Sequence, residues 1–293
     1  MRFLLIFIVP FFFTSVNEIT AQDLPTCNLY FFTITEKETG YNIRYPKFLT
    51  VFNKDGYNNQ PSFISDFDLY LTSDYGDNGS TEVVQLNLFE NKLTRITSTT
   101  QSEYSPTQVN KNYFSTVRVE NDGTTQSLIL YPKNMDASPK RFLPEIDNIG
   151  YHTWISDSEV ALFLVDETQG NVLALANVFE DNVNQIMSNI GRTLKFDGSH
   201  KLFFVHKAVD KWFIKELNVE TRKVRTIVET IDGVEDFELL RNGTFVAGKA
   251  SKLYYYNKGT AGWTVMSDLE DYGINSISRI AVRKNKLILV DNQ

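Results

Sequence analysis

Apolar and polar residues alternate over short stretches along most of this sequence. In residues 83–88, valine and leucine fall on one side of an extended chain, and glutamine and asparagine fall on the other. This period of two predicts a β-strand with one buried face. Similar segments recur between turn-forming pairs such as Asp122-Gly123 and Asn242-Gly243. The pattern therefore predicts an all-β protein without amphipathic helices.

The predicted strands are organised in repeats. Pro61 and Pro106 stand at matching points of two successive units, 45 residues apart. Six segments open the units: residues 59–66, 103–110, 151–157, 192–198, 235–243 and 278–285. Each unit contains up to four short strands, and about 40–45 residues is the length of a four-stranded propeller blade. The repeats predict a six-bladed β-propeller with antiparallel blades.

The sixth unit is incomplete, because the sequence ends after two of its strands. Residues 29–34 and 48–50 near the N-terminus have the pattern of a third and a fourth strand. We therefore expect the N-terminal strands to complete the last blade, which pairs the open sheet edges and closes the ring. The predicted blades span residues 57–99, 102–144, 148–188, 189–230, 232–270, and 272–293 together with 27–52.

The first two units resemble a known family. Residues 57–66 (Tyr-Asn-Asn-Gln-Pro-Ser-Phe-Ile-Ser-Asp) and 69–74 (Leu-Tyr-Leu-Thr-Ser-Asp) are similar to the repeat of the TolB-type WD40-like propellers. Residues 93–97 and 102–107 fit the same pattern, whereas Ile64 and Phe67 depart from it and units three to five keep only the topology. The resemblance implies a six-bladed propeller in an exported protein. For a propeller alone, it implies protein binding rather than one particular reaction.

The N-terminus has the layout of a secretory signal. Arg2 precedes an apolar run over residues 3–13, and a more polar stretch ends in Ala21. We expect a signal peptide at residues 1–21 and a mature propeller at 22–293, periplasmic or secreted and not inserted in a membrane. The net charge is −7, and the sequence has no basic stripe of the kind that nucleic-acid binding needs. The expected partner is an envelope or extracellular protein, and the expected oligomeric state is a monomer.

Motifs for catalysis are absent from the sequence. It contains no Gly-x-Ser-x-Gly, no Gly-rich phosphate loop and no His-Glu-x-x-His. The three histidines are His152, His200 and His206, and the last two would lie roughly 20 Å apart on one strand, too far to share a metal. Residues 74–82 are rich in oxygen ligands, which fits either Ca²⁺ or a hairpin turn, and we favour the turn. We therefore expect neither a metal nor another cofactor.

Loops that lead into the innermost strands of a propeller converge on one mouth of its central channel. Loop residues on a rigid scaffold are enriched in function, and tyrosine combines contact area with a polar tip. We therefore predict a binding surface at this mouth, formed by Asn59, Gln60, Glu103, Tyr104, Tyr151, His152, Arg192, Glu235, Asp236 and Asn275. The leading hypothesis is a non-catalytic scaffold that binds a protein there. The alternatives are a propeller that binds a glycan or small ligand, and a metal-dependent lactonase or lyase.

Overall fold

The computed structural model describes residues 24–76, 79–180 and 182–293. The predicted signal peptide lies outside these ranges, as does the centre of the candidate Ca²⁺ segment at residues 77–78. Apart from strands, the described residues form two short 3₁₀ helices, Val51–Asn53 and Glu270–Tyr272. Within the same ranges, no helix has the length and apolar character of a bilayer span.

The strands follow one another along the chain with short connections. The first two are β1 (Cys27–Glu36) and β2 (Tyr41–Phe48). They are followed by β3 (Asn58–Phe63), β4 (Asp68–Ser73), β5 (Glu82–Asn87), β6 (Lys92–Arg95), β7 (Ser102–Gln108), β8 (Tyr113–Val119), β9 (Gln126–Pro132), β10 (Lys140–Phe142), β11 (Ile149–Trp154) and β12 (Glu159–Leu164). The remaining strands are β13 (Val172–Asn177), β14 (Asn182–Met187), β15 (Ile190–Phe196), β16 (Lys201–Lys207), β17 (Trp212–Asn218), β18 (Val224–Glu229), β19 (Phe237–Leu239), β20 (Phe245–Lys249), β21 (Lys252–Tyr256), β22 (Thr264–Asp268), β23 (Ile277–Arg283) and β24 (Lys286–Asn292).

The strands form six four-stranded antiparallel sheets, which we number as blades 1 to 6. Blades 1 to 5 each use four consecutive strands, from β3–β6 to β19–β22, and blade 6 has the order β2-β1-β24-β23. The first strand of each blade is innermost and contacts its counterpart in the next blade, and β23 contacts β3 to complete the circle. The predicted six-bladed propeller is confirmed.

Closure of the ring by the N-terminal strands is also confirmed. Strand β1 pairs antiparallel with β24 over seven positions, among them Leu29 with Val290 and Phe32 with Leu287. All four of these side chains are fully buried. The two ends of the chain therefore hold one sheet together, and β1 and β24 each have a paired strand on both sides.

The hydrophobic core is divided into six clusters, one between each pair of neighbouring blades. Strand β24 shows how the alternating pattern produces this arrangement. Its residues Ile288 and Val290 pack toward blade 1, whereas Leu287 and Leu289 pack toward blade 5. Both faces of an inner strand pack against a neighbouring blade. Alternate residues of the strand therefore belong to two different hydrophobic clusters.

The innermost strands are not regular. The pairing register shifts in five of them, between Asn59 and Ser62 in β3 and between Tyr104 and Thr107 in β7, for example. At these two shifts Gln60 and Ser105 adopt positive φ angles of 53° and 52°, and each is followed by proline. A bulge re-aims side chains and tolerates proline, which cannot donate to the sheet ladder. The bulges turn polar side chains toward the propeller axis.

Candidate functional site

A cavity of about 250 Å³ lies on the propeller axis, among the innermost strands. Every blade contributes to its wall. One residue from each blade illustrates this: Gln60, Ser105, Tyr151, Thr193, Asp236 and Arg279. All six side chains are polar or charged. We call this space the channel cavity.

An arginine crosses the axis beside the channel cavity. The Arg279 side chain extends from blade 6 and donates a hydrogen bond of 2.8 Å to the Tyr151 hydroxyl on blade 3, the opposite blade. The guanidinium carbon also lies 5.0 Å from the centre of the Tyr151 ring, in a cation–π contact. This contact ties opposite sides of the ring together and narrows the channel at this level.

Blades 4 to 6 place charged side chains along the wall. Arg192 on β15 lies 3.5 Å from a Glu235 oxygen and 3.8 Å from an Asp236 oxygen. Arg279 lies 3.6 Å from the same Asp236 carboxylate, so the two arginines share it. Further along β15, Lys195 donates to Glu238 at 2.7 Å. We call this side of the channel the charged half.

The carboxylate of Glu235 lies behind Arg192 and remains ionised. Partial burial alone would raise its pKa, but the hydrogen bond from Lys207 and the positive charges of Arg192 and Lys207 outweigh that effect and lower it. Glu235 also accepts a hydrogen bond of 3.3 Å from the backbone amide of Arg192. These contacts position the start of β15 and hold Arg192 at the wall.

Blades 1 to 3 place uncharged polar groups along the rest of the wall, which we call the neutral half. The side-chain oxygen of Gln60 accepts hydrogen bonds from the Ser105 amide at 2.7 Å and from the Thr72 hydroxyl at 2.9 Å. Gln60 therefore joins blade 1 to blade 2 at the two proline-flanked bulges. The bulges are a structural feature of the ring as well as a source of polar groups.

His152 is the buried titratable group of the neutral half. Its Nε2 atom lies 2.6 Å from the Ser115 hydroxyl, which also accepts a 2.8 Å hydrogen bond from the indole N–H of Trp154. Burial lowers the pKa of His152 to about 3, because the charged imidazolium would lose its hydration. The ring is therefore neutral at physiological pH.

The structure brings together five of the ten residues predicted for the channel mouth. Gln60, Tyr151, His152, Arg192 and Asp236 all line the channel cavity. They lie on the innermost strands or directly before them. The remaining five residues lie outside the cavity wall.

Two of those five are buried within the blades. Glu103 is fully buried in blade 2, where it accepts hydrogen bonds from Arg118 at 2.7 Å and from the Tyr131 hydroxyl at 2.6 Å. Asn59 is buried beside Cys27, and its amide nitrogen lies 3.5 Å from the sulfur. Both side chains are engaged in internal contacts, so neither is available at the surface.

The other three occupy different surroundings. Tyr104 is partly buried and packs against the apolar clusters between blades. Glu235 supports Arg192 from behind, as described above. Asn275 is exposed in the loop that leads into β23, four residues before Arg279. Tyr57, which directly precedes β3, is buried in the cluster between blades 6 and 1.

Sequence reasoning missed several residues of the wall, notably Ser105, Thr193, Lys195 and Arg279. A signal for Ser105 was present: it precedes Pro106 as Gln60 precedes Pro61, at the same point of the repeat. Arg279 was visible as one of few charges on an innermost strand. Its contact across the axis depends on the closed ring and has no signature in local sequence.

Metal and thiol chemistry have few candidate groups in the part of the chain that the structure describes. No three His, Cys, Asp or Glu side chains of these residues group together as potential metal ligands. The one cysteine, Cys27, is fully buried at the start of β1, and its thiol lies 3.1 Å from the Asn58 carbonyl oxygen. Burial raises the pKa of this thiol to about 11, so it remains protonated.

Solved structures with a similar fold cover nearly the whole chain. A putative TolB from Agrobacterium tumefaciens has a TM-score of 0.67 at 8% identity, with 92% of this chain and 99% of that chain covered. These values confirm the TolB-type propeller fold. A chain from a nidogen–laminin complex has a TM-score of 0.64 at 10% identity, covering 90% of this chain and 98% of its own.

An enzyme also shares this fold. An oligogalacturonate lyase in complex with manganese has a TM-score of 0.57 at 12% identity, with 87% of this chain and 83% of that chain covered. No protein-family model and no curated protein matches the sequence. At such low identities the TolB-type likeness establishes the architecture, and the function must be argued from the channel itself.

Proposed function

We propose that this chain is an exported, non-catalytic propeller that binds a partner protein at the mouth of its channel. One observation carries the proposal: the channel cavity is lined by polar and charged residues from all six blades, among them Arg192, Asp236 and Arg279. Placing charges in a protein interior is costly unless they serve structure or binding. A wall of this kind is suited to receive a polar segment of another molecule.

The size of the channel cavity favours a partner that inserts a side chain or a short loop. Pockets that enclose whole small molecules usually measure about 300–1,000 Å³, whereas this cavity measures about 250 Å³. A glycan or small ligand in the same position is the alternative. The protein partner has further support from fold likeness, since one similar structure was determined as a nidogen–laminin complex.

Export is part of the proposal and rests on the sequence of residues 1–21, in which Arg2 precedes an apolar run and the segment ends in small residues. The TolB-type fold supports the same assignment. The lyase with a similar fold keeps an enzymatic role as a second alternative, but at 12% identity it shares the architecture alone. No residue arrangement described above favours catalysis over binding.

Site-specific photo-cross-linking in the producing cell tests this proposal. A photoreactive amino acid would replace Asn275, which is exposed beside the channel entrance, or Val265, which is 53% exposed on outermost strand β22. We expect a discrete cross-linked protein from position 275 and none from position 265. Equal cross-linking at both positions, or none at position 275, would count against the channel mouth as the binding surface.

A further inference from the structure

Two large aromatic side chains are exposed side by side on blade 1. Phe67 lies in the turn between β3 and β4, Phe89 lies in the turn between β5 and β6, and they are 50% and 77% exposed. Their ring centres are 5.8 Å apart. The Leu88 amide donates a hydrogen bond of 2.8 Å to the Phe67 carbonyl, which ties the two turns together. Single exposed apolar residues are common, but adjacent ones indicate an interaction surface.

The two rings line a cleft of about 150 Å³ between blade 1 and blade 6, together with Leu88 of blade 1 and Phe31 and Leu49 of blade 6. Phe31 and Leu49 also pack on the hydrophobic cluster between the two blades, which fixes their positions. A cavity of about 150 Å³ lined by apolar side chains can hold a benzene-sized ring. We call this space the aromatic cleft, and it has room for one aromatic side chain.

The exposed rings of the aromatic cleft lie at the end of blade 1 opposite the channel mouth. The chain enters β3 at the mouth, and the four strands of the blade are antiparallel. The turns after the first and third strands therefore lie at the other end of the sheet. Phe67 and Phe89 occupy these two turns. A partner at the mouth would leave this face uncovered, so the inference below goes beyond the proposed function and does not depend on it.

The charged residues that line the aromatic cleft are two lysines, Lys47 and Lys286. The Lys286 ammonium lies 5.3 Å from the centre of the Phe67 ring, in a cation–π contact. The Lys47 ammonium donates to the side-chain oxygen of Asn91, an uncharged group. Neither lysine belongs to an ion pair among the residues that the structure describes.

Three acidic residues flank the two exposed aromatic residues in sequence: Asp66, Asp68 and Glu90. Asp66 forms ion pairs with Arg283 and Lys284, and Asp68 accepts hydrogen bonds from two amide side chains of β5. None of the three lines the aromatic cleft. The charges of the two lysines at the cleft are therefore left for an acidic group of a ligand.

We infer that the aromatic cleft binds an aromatic side chain of a partner protein, at a position flanked by Asp or Glu. The inserted ring would be buried against Phe67 and Phe89, and aromatic anchors of this kind carry much of the energy of an interface. The acidic neighbour would pair with Lys47 or Lys286. A free benzene-sized molecule would fill the cleft but leave most of Phe89 in water, whereas a polypeptide continues over it.

Selection from a displayed library of random heptapeptides tests the inference. Peptides are selected on the wild-type protein and depleted on Phe89→Ser, which removes those that bind elsewhere, including the channel mouth. We expect the recovered peptides to carry Phe, Tyr or Trp within two positions of Asp or Glu. Their binding should weaken about tenfold or more in Phe67→Ser, which loses apolar contact area, and about threefold in Lys286→Gln, which loses an exposed charge.

Phe179→Ser is the matched control and should bind the peptides as wild type does. Phe179 lies in the corresponding turn of blade 3, between β13 and β14, and is 69% exposed. Its ring packs against Phe142, with ring centres 6.1 Å apart, and it does not line the aromatic cleft. Equal weakening in Phe179→Ser and Phe67→Ser would overturn the inference, because the peptides would then bind any exposed ring.

Three other outcomes would also overturn the inference. They are failure to recover any peptide, recovered peptides without the aromatic and acidic pair, and binding that is unchanged in both Phe67→Ser and Lys286→Gln. Analytical ultracentrifugation tests a second copy of the chain as the occupant, because Phe179 and Glu180 form an aromatic and acidic pair of their own. Self-association that is lost in both Phe89→Ser and Phe179→Ser would assign the cleft to that copy instead of a separate partner.

Discussion

The two halves of the channel wall differ in charge although they are built from the same repeat. In blades 1 to 3 the wall presents uncharged groups such as Gln60, Ser105 and His152, and in blades 4 to 6 it presents Arg192, Asp236 and Arg279. Blades 1 and 2 are also those whose sequences follow the TolB-type repeat, whereas the later units depart from it. Blade 3 belongs to the units that depart from the repeat and still presents uncharged groups, so the departures alone do not account for the charges.

The charged half stays stable because its charges compensate one another. The Asp236 carboxylate accepts a hydrogen bond from the Thr193 hydroxyl at 3.1 Å and lies within 4 Å of both channel arginines. Arg192 also donates to the Ser278 carbonyl on blade 6 at 3.1 Å, past blade 5. Such pairs contribute little net stability when complete, but removing one partner leaves an uncompensated charge.

The largest effect is expected for Arg279→Met, which removes the shared cation of the charged half. Asp236 would lose one of its two arginines and Tyr151 its donor, and breaking a buried pair costs about 3–5 kcal/mol. Arg222→Met, at an exposed ion pair, should cost less than about 1 kcal/mol. Urea unfolding of both variants gives the comparison. A loss below about 1 kcal/mol for Arg279→Met would show that the charged half is not a coupled unit.

A second prediction concerns the neutral half at acidic pH. The pKa of His152 is about 3 in the folded protein and about 6.5 when unfolded, so the unfolded chain binds more protons below pH 6.5. This contribution to stability is complete above pH 6.5 and falls as the pH is lowered. Between pH 7 and pH 5 it should decrease by about 2 kcal/mol.

The His152→Gln variant isolates this effect. The difference in unfolding free energy between wild type and variant should shift by about 2 kcal/mol between pH 7 and pH 5, in favour of the variant at the lower pH. The ring signals of His152 in an NMR titration should also remain unchanged down to pH 5. A midpoint near 6.5 would mean that the neutral half becomes cationic in mild acid and that the comparison fails.

A smaller effect is expected for Gln60→Ala in the neutral half. The Ser105 amide and the Thr72 hydroxyl would lose their acceptor, at a cost of about 1.5 kcal/mol. Gln169→Ala, on an exposed loop, is the control and should change stability by less than about 0.5 kcal/mol. Thermal or urea unfolding measures both. Equal stability of the two variants would indicate that the bulges of blades 1 and 2 do not depend on Gln60.

The sequence was sufficient for the architecture because strand alternation and turn pairs are local signals that recur in every blade. Closure of the ring was predictable for the same reason. The last unit lacks its third strand, and residues 29–34 have the strand pattern expected for it. The site was predicted in part, through residues near the start of the innermost strands. Register shifts decide which of these face the axis, so Gln60 lines the cavity and its neighbour Asn59 does not.

Contacts between distant blades could not be predicted. Arg279 meets Tyr151 only because six blades place β23 opposite β11, a relation that depends on the whole ring. Glu103 was predicted at the mouth because it opens its unit, yet Arg118 and Tyr131 on neighbouring strands hold it inside blade 2. Whether Arg279 or Glu103 lies at the channel therefore depends on its side-chain partners in the folded ring and not on its position in the repeat.

A double-mutant cycle between Arg279 and Tyr151 tests most directly whether the charged and neutral halves meet across the axis. The free energy of unfolding would be measured for wild type, Arg279→Met, Tyr151→Phe and the double variant. A hydrogen bond from a charged group predicts a coupling energy of about 1.5–3 kcal/mol. Additive effects, with a coupling energy near zero, would contradict the contact and the arrangement of the channel wall built on it.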